Sequence, residues 1–130
     1  MNLVLVDSSA WISYLRSGEG TLSTSLERLL DENRVALCGI VLTEVRQGLR
    51  SHEQREVLEL FETVPYLETT RDDYERAGAL LAGLQRRGMT IPAPDGVIAA
   101  LCLEHELALL EFDQHFEHIE DLKRIPWRAS

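Results

Sequence analysis

The 130-residue sequence predicts an α/β domain, a three-layer α/β/α sandwich around a mostly parallel central sheet. Three observations predict it. Short apolar runs of strand length alternate with segments whose apolar residues recur at helical spacing. The opening run, Leu3-Val4-Leu5-Val6, is apolar at every position, as a strand covered by helices on both sides must be. No internal repeat, linker or low-complexity segment interrupts the alternation, so residues 1–130 read as a single domain with 126–130 as a loose tail.

The elements follow in order. After the first strand, Ala10 to Arg16 suits a short helix, with Ser8 or Ser9 as its cap, and Gly18 and Gly20 open a turn. Leu22, Leu26, Leu29 and Leu30 give a helix over 21–33, and Val35 to Cys38 a second strand. Val41, Leu42, Val45 and Leu49 share one face of the next helix, which carries Glu44 in its first half. Val57, Leu58 and Phe61 stripe a charged helix from His52. Val64 to Leu67 then reads as a strand that Pro65 confines to an edge or to its own start. Thr70 and Asp73 form a helix start, followed by Tyr74, Ala77, Leu81 and Leu84 on one face and Gly88 as the stop. Thr90 to Pro94 reads as a loop in which Pro94 forces an extended approach to Asp95. An apolar helix through Val97, Ile98, Leu101 and Cys102 leads to a fourth strand, Leu107 to Leu110. A short helix over 114–119 and a last strand over 122–125 close the fold, and Trp127 in the tail is a candidate for docking.

Composition narrows the function. A net charge of −9 argues against indiscriminate nucleic-acid binding through a basic face. It leaves room for a nucleic-acid enzyme, because clustered acids hold divalent cations that supply positive charge. Cys38 and Cys102 lie in apolar runs without CxxC or His–Cys spacing and read as core thiols. No apolar run is long enough for a membrane helix, and the N-terminus has neither a basic region nor a cleavage site. A cytoplasmic protein with no membrane partner is expected.

Many of the 22 acids sit on polar helix faces; four are placed differently. Asp7 follows the first strand, Glu44 lies inside an apolar helix, Asp95 opens another, and Asp113 follows the fourth strand. Each has an ordinary explanation alone: a helix cap for Asp7 or Asp95, an arginine partner such as Arg46 for Glu44, a turn for Asp113. Together they lie where ligands bind in open parallel sheets, beyond the strands' carboxyl ends. Converging carboxylates repel, and Mg²⁺ or Mn²⁺ with oxygen ligands relieves the repulsion. Ser9 is a further candidate, to hold an acid or to contact phosphate. Arg46, Arg50, Arg86 and Arg87 are candidates for phosphate contacts, although each also suits an ordinary solvated helix end. His52, His105, His115 and His118 show no ligand or acid–base spacing.

With these residues in hand, the sequence resembles the PIN-domain ribonucleases, and within them the VapC-type toxins of bacterial and archaeal toxin–antitoxin pairs. Four segments carry the resemblance: Val4-Leu5-Val6-Asp7-Ser8-Ser9, Leu42-Thr43-Glu44-Val45-Arg46-Gln47-Gly48-Leu49, Pro92-Ala93-Pro94-Asp95-Gly96, and Leu110-Glu111-Phe112-Asp113-Gln114-His115-Phe116. The resemblance implies a PIN-like fold and a Mg²⁺- or Mn²⁺-dependent endoribonuclease that hydrolyses RNA phosphodiester bonds. It implies Asp7 and Asp95 as principal metal ligands and Glu44 and Asp113 as further acids. A cognate antitoxin partner and a homodimer are also implied, with an apolar groove among Trp11, Ile12, Tyr14, Leu42, Val45 and Leu49 receiving an antitoxin helix.

The sequence departs from the family pattern at Gly96, where Ala is more usual. It departs again at Glu111 and Phe112, where the family often has Thr, Ser or His and then a small polar residue. Glu111 either adds an acid beside the site or faces solvent. A haloacid-dehalogenase pattern needs an Asp where Ser9 stands, and a receiver needs a lysine deep in the sheet, whereas the one lysine is Lys123. The alternative that stays open is a non-catalytic PIN-like module for binding or assembly.

Overall fold

A computed structural model describes residues 2–17, 21–112 and 114–125. The turn expected at Gly18 and Gly20, the tail 126–130 with Trp127, and Asp113 lie outside the described residues. Five strands form one sheet in the order β3-β2-β1-β4-β5, every neighbouring pair parallel. They are β1 (Val4–Val6), β2 (Val35–Cys38), β3 (Tyr66–Leu67), β4 (Ala108–Leu110) and β5 (Arg124–Ile125). The chain builds one side of the sheet outward from β1 through β2 to β3. It then returns to the other side of β1 for β4 and β5. The reversal falls between β1 and β4, and in open parallel sheets ligands bind beyond the strands' carboxyl ends at such a switch point.

The helices are α1 (Ser8–Ser17), α2 (Thr21–Asp31), α3 (Gly39–Gly48), α4 (Ser51–Phe61), α5 (Arg71–Arg86) and α6 (Ala93–Glu104), followed by a 3₁₀ turn, Gln114–Phe116. The central strands β1 and β2 are buried at every position, as continuous apolar runs in a covered parallel sheet require. In α6 every residue from Asp95 to Cys102 is buried, so this helix is a core element packed against α5. Trp11 is fully buried and meets Phe61 edge-on at 5.0 Å between ring centroids. Cys38 and Cys102 are buried free thiols. Among the described residues no helix is long and apolar enough to cross a membrane.

Local departures from expectation have physical causes. Pro94 lies inside the first turn of α6, where a missing N–H costs nothing and a fixed φ suits the helix. The extended residue is Pro92, at the cap with φ −60° and ψ 144°. Gly96 does more than weaken a helix start. A Cβ there would stand 2.5 Å from Leu81 Cγ, so the glycine permits the close approach of α5 and α6. Tyr74, expected on the apolar face of α5, is half exposed. The strand containing Pro65 is shortened to Tyr66–Leu67 and lies at the sheet edge, where a proline is tolerated.

Candidate active site

The site grows from the end of β1. The Asp7 amide donates to Leu110 O at 2.9 Å, which ties the end of β1 to the end of β4. The chain then turns directly into α1, whose first amides fold back onto Asp7: Ala10 N and Trp11 N donate to its carbonyl at 3.0 and 3.1 Å. Asp7 Oδ2 accepts from the Ser9 amide at 3.2 Å and from Ser9 Oγ at 2.5 Å. The cap of α1 is therefore Asp7 itself, and not Ser8 or Ser9. Its carboxylate satisfies an amide that has no partner within the helix. The Ser9 hydroxyl is engaged a second time, accepting from the Phe112 amide at 3.3 Å.

The other acids arrive on neighbouring elements. Glu44, half-buried on α3, accepts from Ser8 Oγ at 3.0 Å, so its partner is a hydroxyl and not an arginine. Arg46 is exposed and instead meets Gln54 Oε1 at 3.4 Å. Asp95 is buried in the first turn of α6, with Oδ2 only 2.6 Å from His115 Nδ1. That pairing requires the proton to be on Nδ1 when Asp95 is ionised. Burial pushes the Glu44 carboxyl above its ordinary range. The Ser8 hydrogen bond opposes this, while the charges of Asp7 and Asp95 add to it. Burial likewise pushes up the Cys38 thiol at the end of β2, and Asp7 and Glu44 reinforce the shift. Three carboxylates from β1, α3 and α6 thus share one field.

The donor chemistry of this cluster suits a hard divalent cation, since all three side chains offer oxygen alone. Among the described residues, no group of three His, Cys, Asp or Glu stands ready at metal-ligand spacing. Asp7, Glu44 and Asp95 instead hold Ser9, Ser8 and His115.

Comparison with known proteins places the chain. The family model described as PIN domain matches residues 4–122. The chain belongs to the PIN-domain family. It is 29% identical over 122 residues to the VapC ribonuclease Mb1587 of Mycobacterium bovis, covering 90% of this chain and 91% of that one. It is 30% identical over 105 residues to ribonuclease VapC21 of Mycobacterium tuberculosis, covering 78% and 76%. In structure it is similar to VapBC2 from Rickettsia felis, solved bound to a promoter DNA fragment. That match has a TM-score of 0.83 at 18% identity and spans 97% of this chain and 99% of the other.

Within this PIN domain, Glu111 does not face solvent. It is buried and paired with Arg124, whose Nε and Nη2 lie 2.8 and 2.7 Å from Oε1. Arg50, Arg86 and Arg87 lie at exposed helix ends, and Arg87 meets Glu120 at 3.5 Å. Of the six residues expected to line an apolar groove, Trp11, Val45 and Leu49 are buried, Ile12, Tyr14 and Leu42 are partly exposed, and α1 packs against α3. A Cβ on Gly48 would stand 2.8 Å from Ile12 Cδ1. The residue that spacing failed to single out is His115, 20 positions from the acid it meets. Its one sequence signal was its place two residues after Asp113 in the last acidic segment.

Proposed function

We propose that this chain is a VapC-type toxin, an endoribonuclease that hydrolyses RNA phosphodiester bonds with Mg²⁺ or Mn²⁺ and is held inactive by a cognate antitoxin. The observation that carries the reading is the shared field of Asp7, Glu44 and Asp95 at the β1–β4 switch point, in a PIN domain whose relatives are VapC ribonucleases. Asp7 and Asp95 would be the principal metal ligands, with Glu44 and Asp113 completing the set. The bound cation supplies a Lewis acid for the phosphate and a more acidic water. The chain's own groups do the rest. Ser9 and His115 orient Asp7 and Asp95, Ser8 orients Glu44, and Glu44 accepts a proton from the attacking water.

We read residues 1–130 as one PIN-like domain acting in the cytoplasm as a homodimer. The non-catalytic binding module is the competing reading, and cleavage decides between them. Asp7→Ala should abolish cleavage of cellular RNA, because it removes a principal ligand, while the protein stays folded. Asp72→Ala, on an exposed face of α5, should cut like wild type. Wild type freed of its inhibitor that cuts no RNA with Mg²⁺ or with Mn²⁺ would establish the binding module. Cleavage that persists in Asp7→Ala or in chelator would refute the metal mechanism.

A further inference from the structure

The chain just past β4 is tied to its neighbours on both sides. Towards β1, Leu110 O accepts from the Asp7 amide, and the Phe112 amide donates to Ser9 Oγ at 3.3 Å. That same hydroxyl holds Asp7 Oδ2. Towards the sheet edge, strand pairing sets Arg124 of β5 opposite Leu109. Glu111 follows Leu109 by two residues, the spacing of one sheet face. There Arg124 Nε and Nη2 both donate to Glu111 Oε1, at 2.8 and 2.7 Å. An unbroken series of contacts therefore runs from the edge strand, through Glu111, Phe112 and Ser9, to Asp7.

Stability alone does not account for the ion pair. The Glu111 side chain is 4% exposed and that of Arg124 36%, so both charges give up hydration to meet. Well-packed apolar residues often stabilise a fold as well as a buried ion pair, or better. What the pair supplies is fixed geometry, since two charge-assisted bonds converge on one oxygen. The sheet gives little help at this point. β5 has only two residues, and its pairing with β4 ends at Leu110, one residue short of Glu111. The family pattern favours Thr, Ser or His at position 111, none of which offers an arginine a carboxylate, so the link is a feature of this chain.

We propose that Arg124 is a positioning residue for the cation site: through Glu111 it fixes the Phe112 amide on Ser9, and so the Asp7 carboxylate. The proposal rests on the metal-dependent reading above. Its effect has the opposite sign to that of charge. A positive charge near the acids repels a cation, so losing the Arg124 charge by itself tightens Mn²⁺ binding. Losing the positioning weakens it.

Titration calorimetry of the metal-free protein with Mn²⁺ reads that sign. Arg124→Met should weaken Mn²⁺ binding about fivefold, less than the 10- to 100-fold typical of a side chain that touches the ligand itself. Arg124→Lys, which keeps a charged donor, should recover part of the loss. If Arg124→Met proves unfolded by its thermal transition, Glu111→Gln combined with Arg124→Met removes both charges and leaves the net charge unchanged. That pair should show the same weakening. In a Ser9→Ala background either change should add less than about twofold, because the route to Asp7 is already cut. Without metal, hydrogen exchange at the Phe112 amide should quicken about tenfold in the variant, as its local opening becomes easier. Unchanged or tighter Mn²⁺ binding in the folded variant overturns the proposal, and so does equal weakening with and without the Ser9 hydroxyl. A wild type that binds no Mn²⁺ overturns the metal reading and this proposal with it, whereas a wild type that binds Mn²⁺ no better than its variants overturns the positioning alone.

Discussion

His115 Nδ1 lies 2.6 Å from Asp95 Oδ2, joining the 3₁₀ turn after β4 to the first turn of α6. The two residues are close only because α6 leads into β4 and the chain then doubles back past the helix start. Side chains that hold a ligating group in place typically change metal affinity by about 10- to 100-fold when removed. His115→Ala should therefore weaken Mn²⁺ binding about tenfold in titration calorimetry. His115→Asn, which still presents an N–H, should recover part of the loss. Equal affinity in all three proteins would show that the contact does not orient Asp95 for a cation.

Ser9 offers a second handle on the same centre. Its hydroxyl donates to Asp7 and accepts from Phe112, so Ser9→Ala removes both contacts at once. The variant should fold, because Asp7 still caps α1 through the Ser9 amide, which the substitution keeps. Its RNA cleavage should fall about tenfold, by the same loss of orientation. Ser9→Thr, which retains the hydroxyl, should cut close to the wild-type rate in the same assay.

These contacts explain what could and could not be read from the sequence. Periodic features were legible. The apolar run of β1, the Val41–Val45 face of α3 and the Thr70–Asp73 capping box all express local spacing, and each appears where expected. The acids Asp7, Glu44 and Asp95 were legible because each breaks its local pattern: a carboxylate at the end of an apolar strand, or on an apolar helix. Their partners were not legible. Glu111 and Arg124 are 13 positions apart and meet only because β4 pairs with β5. The buried state of Trp11 and Leu49 likewise depends on how α1 lies on α3 and α4, which amphipathic spacing alone does not determine. Asp113, which the resemblance implies as the fourth acid, lies outside the described residues.

Gly96 gives a prediction in which two effects oppose each other. Alanine favours an α-helix over glycine by about 1 kcal/mol, so propensity alone makes Gly96→Ala stabilising. Its Cβ, however, would stand 2.5 to 2.6 Å from three atoms of Leu81. Overpacking a tight contact costs about 1–3 kcal/mol, and here the clash includes Cγ, which cannot swing aside without moving the side chain's root. The net result should be a loss of about 1 kcal/mol in denaturant unfolding. Combining it with Leu81→Ala should make the added methyl of Gly96→Ala favourable in that background. A single substitution that raised the midpoint would show that the α5–α6 contact yields easily.

The last prediction concerns acid stability, and it comes from a group away from the site. Asp73 is buried at the start of α5. Its Oδ2 accepts from the Thr70 amide at 2.9 Å and from Thr70 Oγ1 at 3.0 Å, and Oδ1 lies 3.5 Å from His105 Nε2. Burial alone would raise its pKa, but the Thr70 amide and hydroxyl and then His105 outweigh burial and hold it below the ordinary value of 3.8. A carboxylate with a depressed folded pKa contributes its full stability above the unfolded pKa. That contribution is lost as pH falls through the folded pKa. Asp73→Asn keeps an acceptor for Thr70 but not the charge. It should cost about 1 kcal/mol at pH 7, the usual scale for a weakened helix cap. The deficit should shrink as pH falls below about 3.9, because only wild type loses a charge there. Urea unfolding at pH 7, 4 and 3 measures it. A deficit that stays constant across those three values would show that Asp73 acts through its shape alone, with no contribution from its charge.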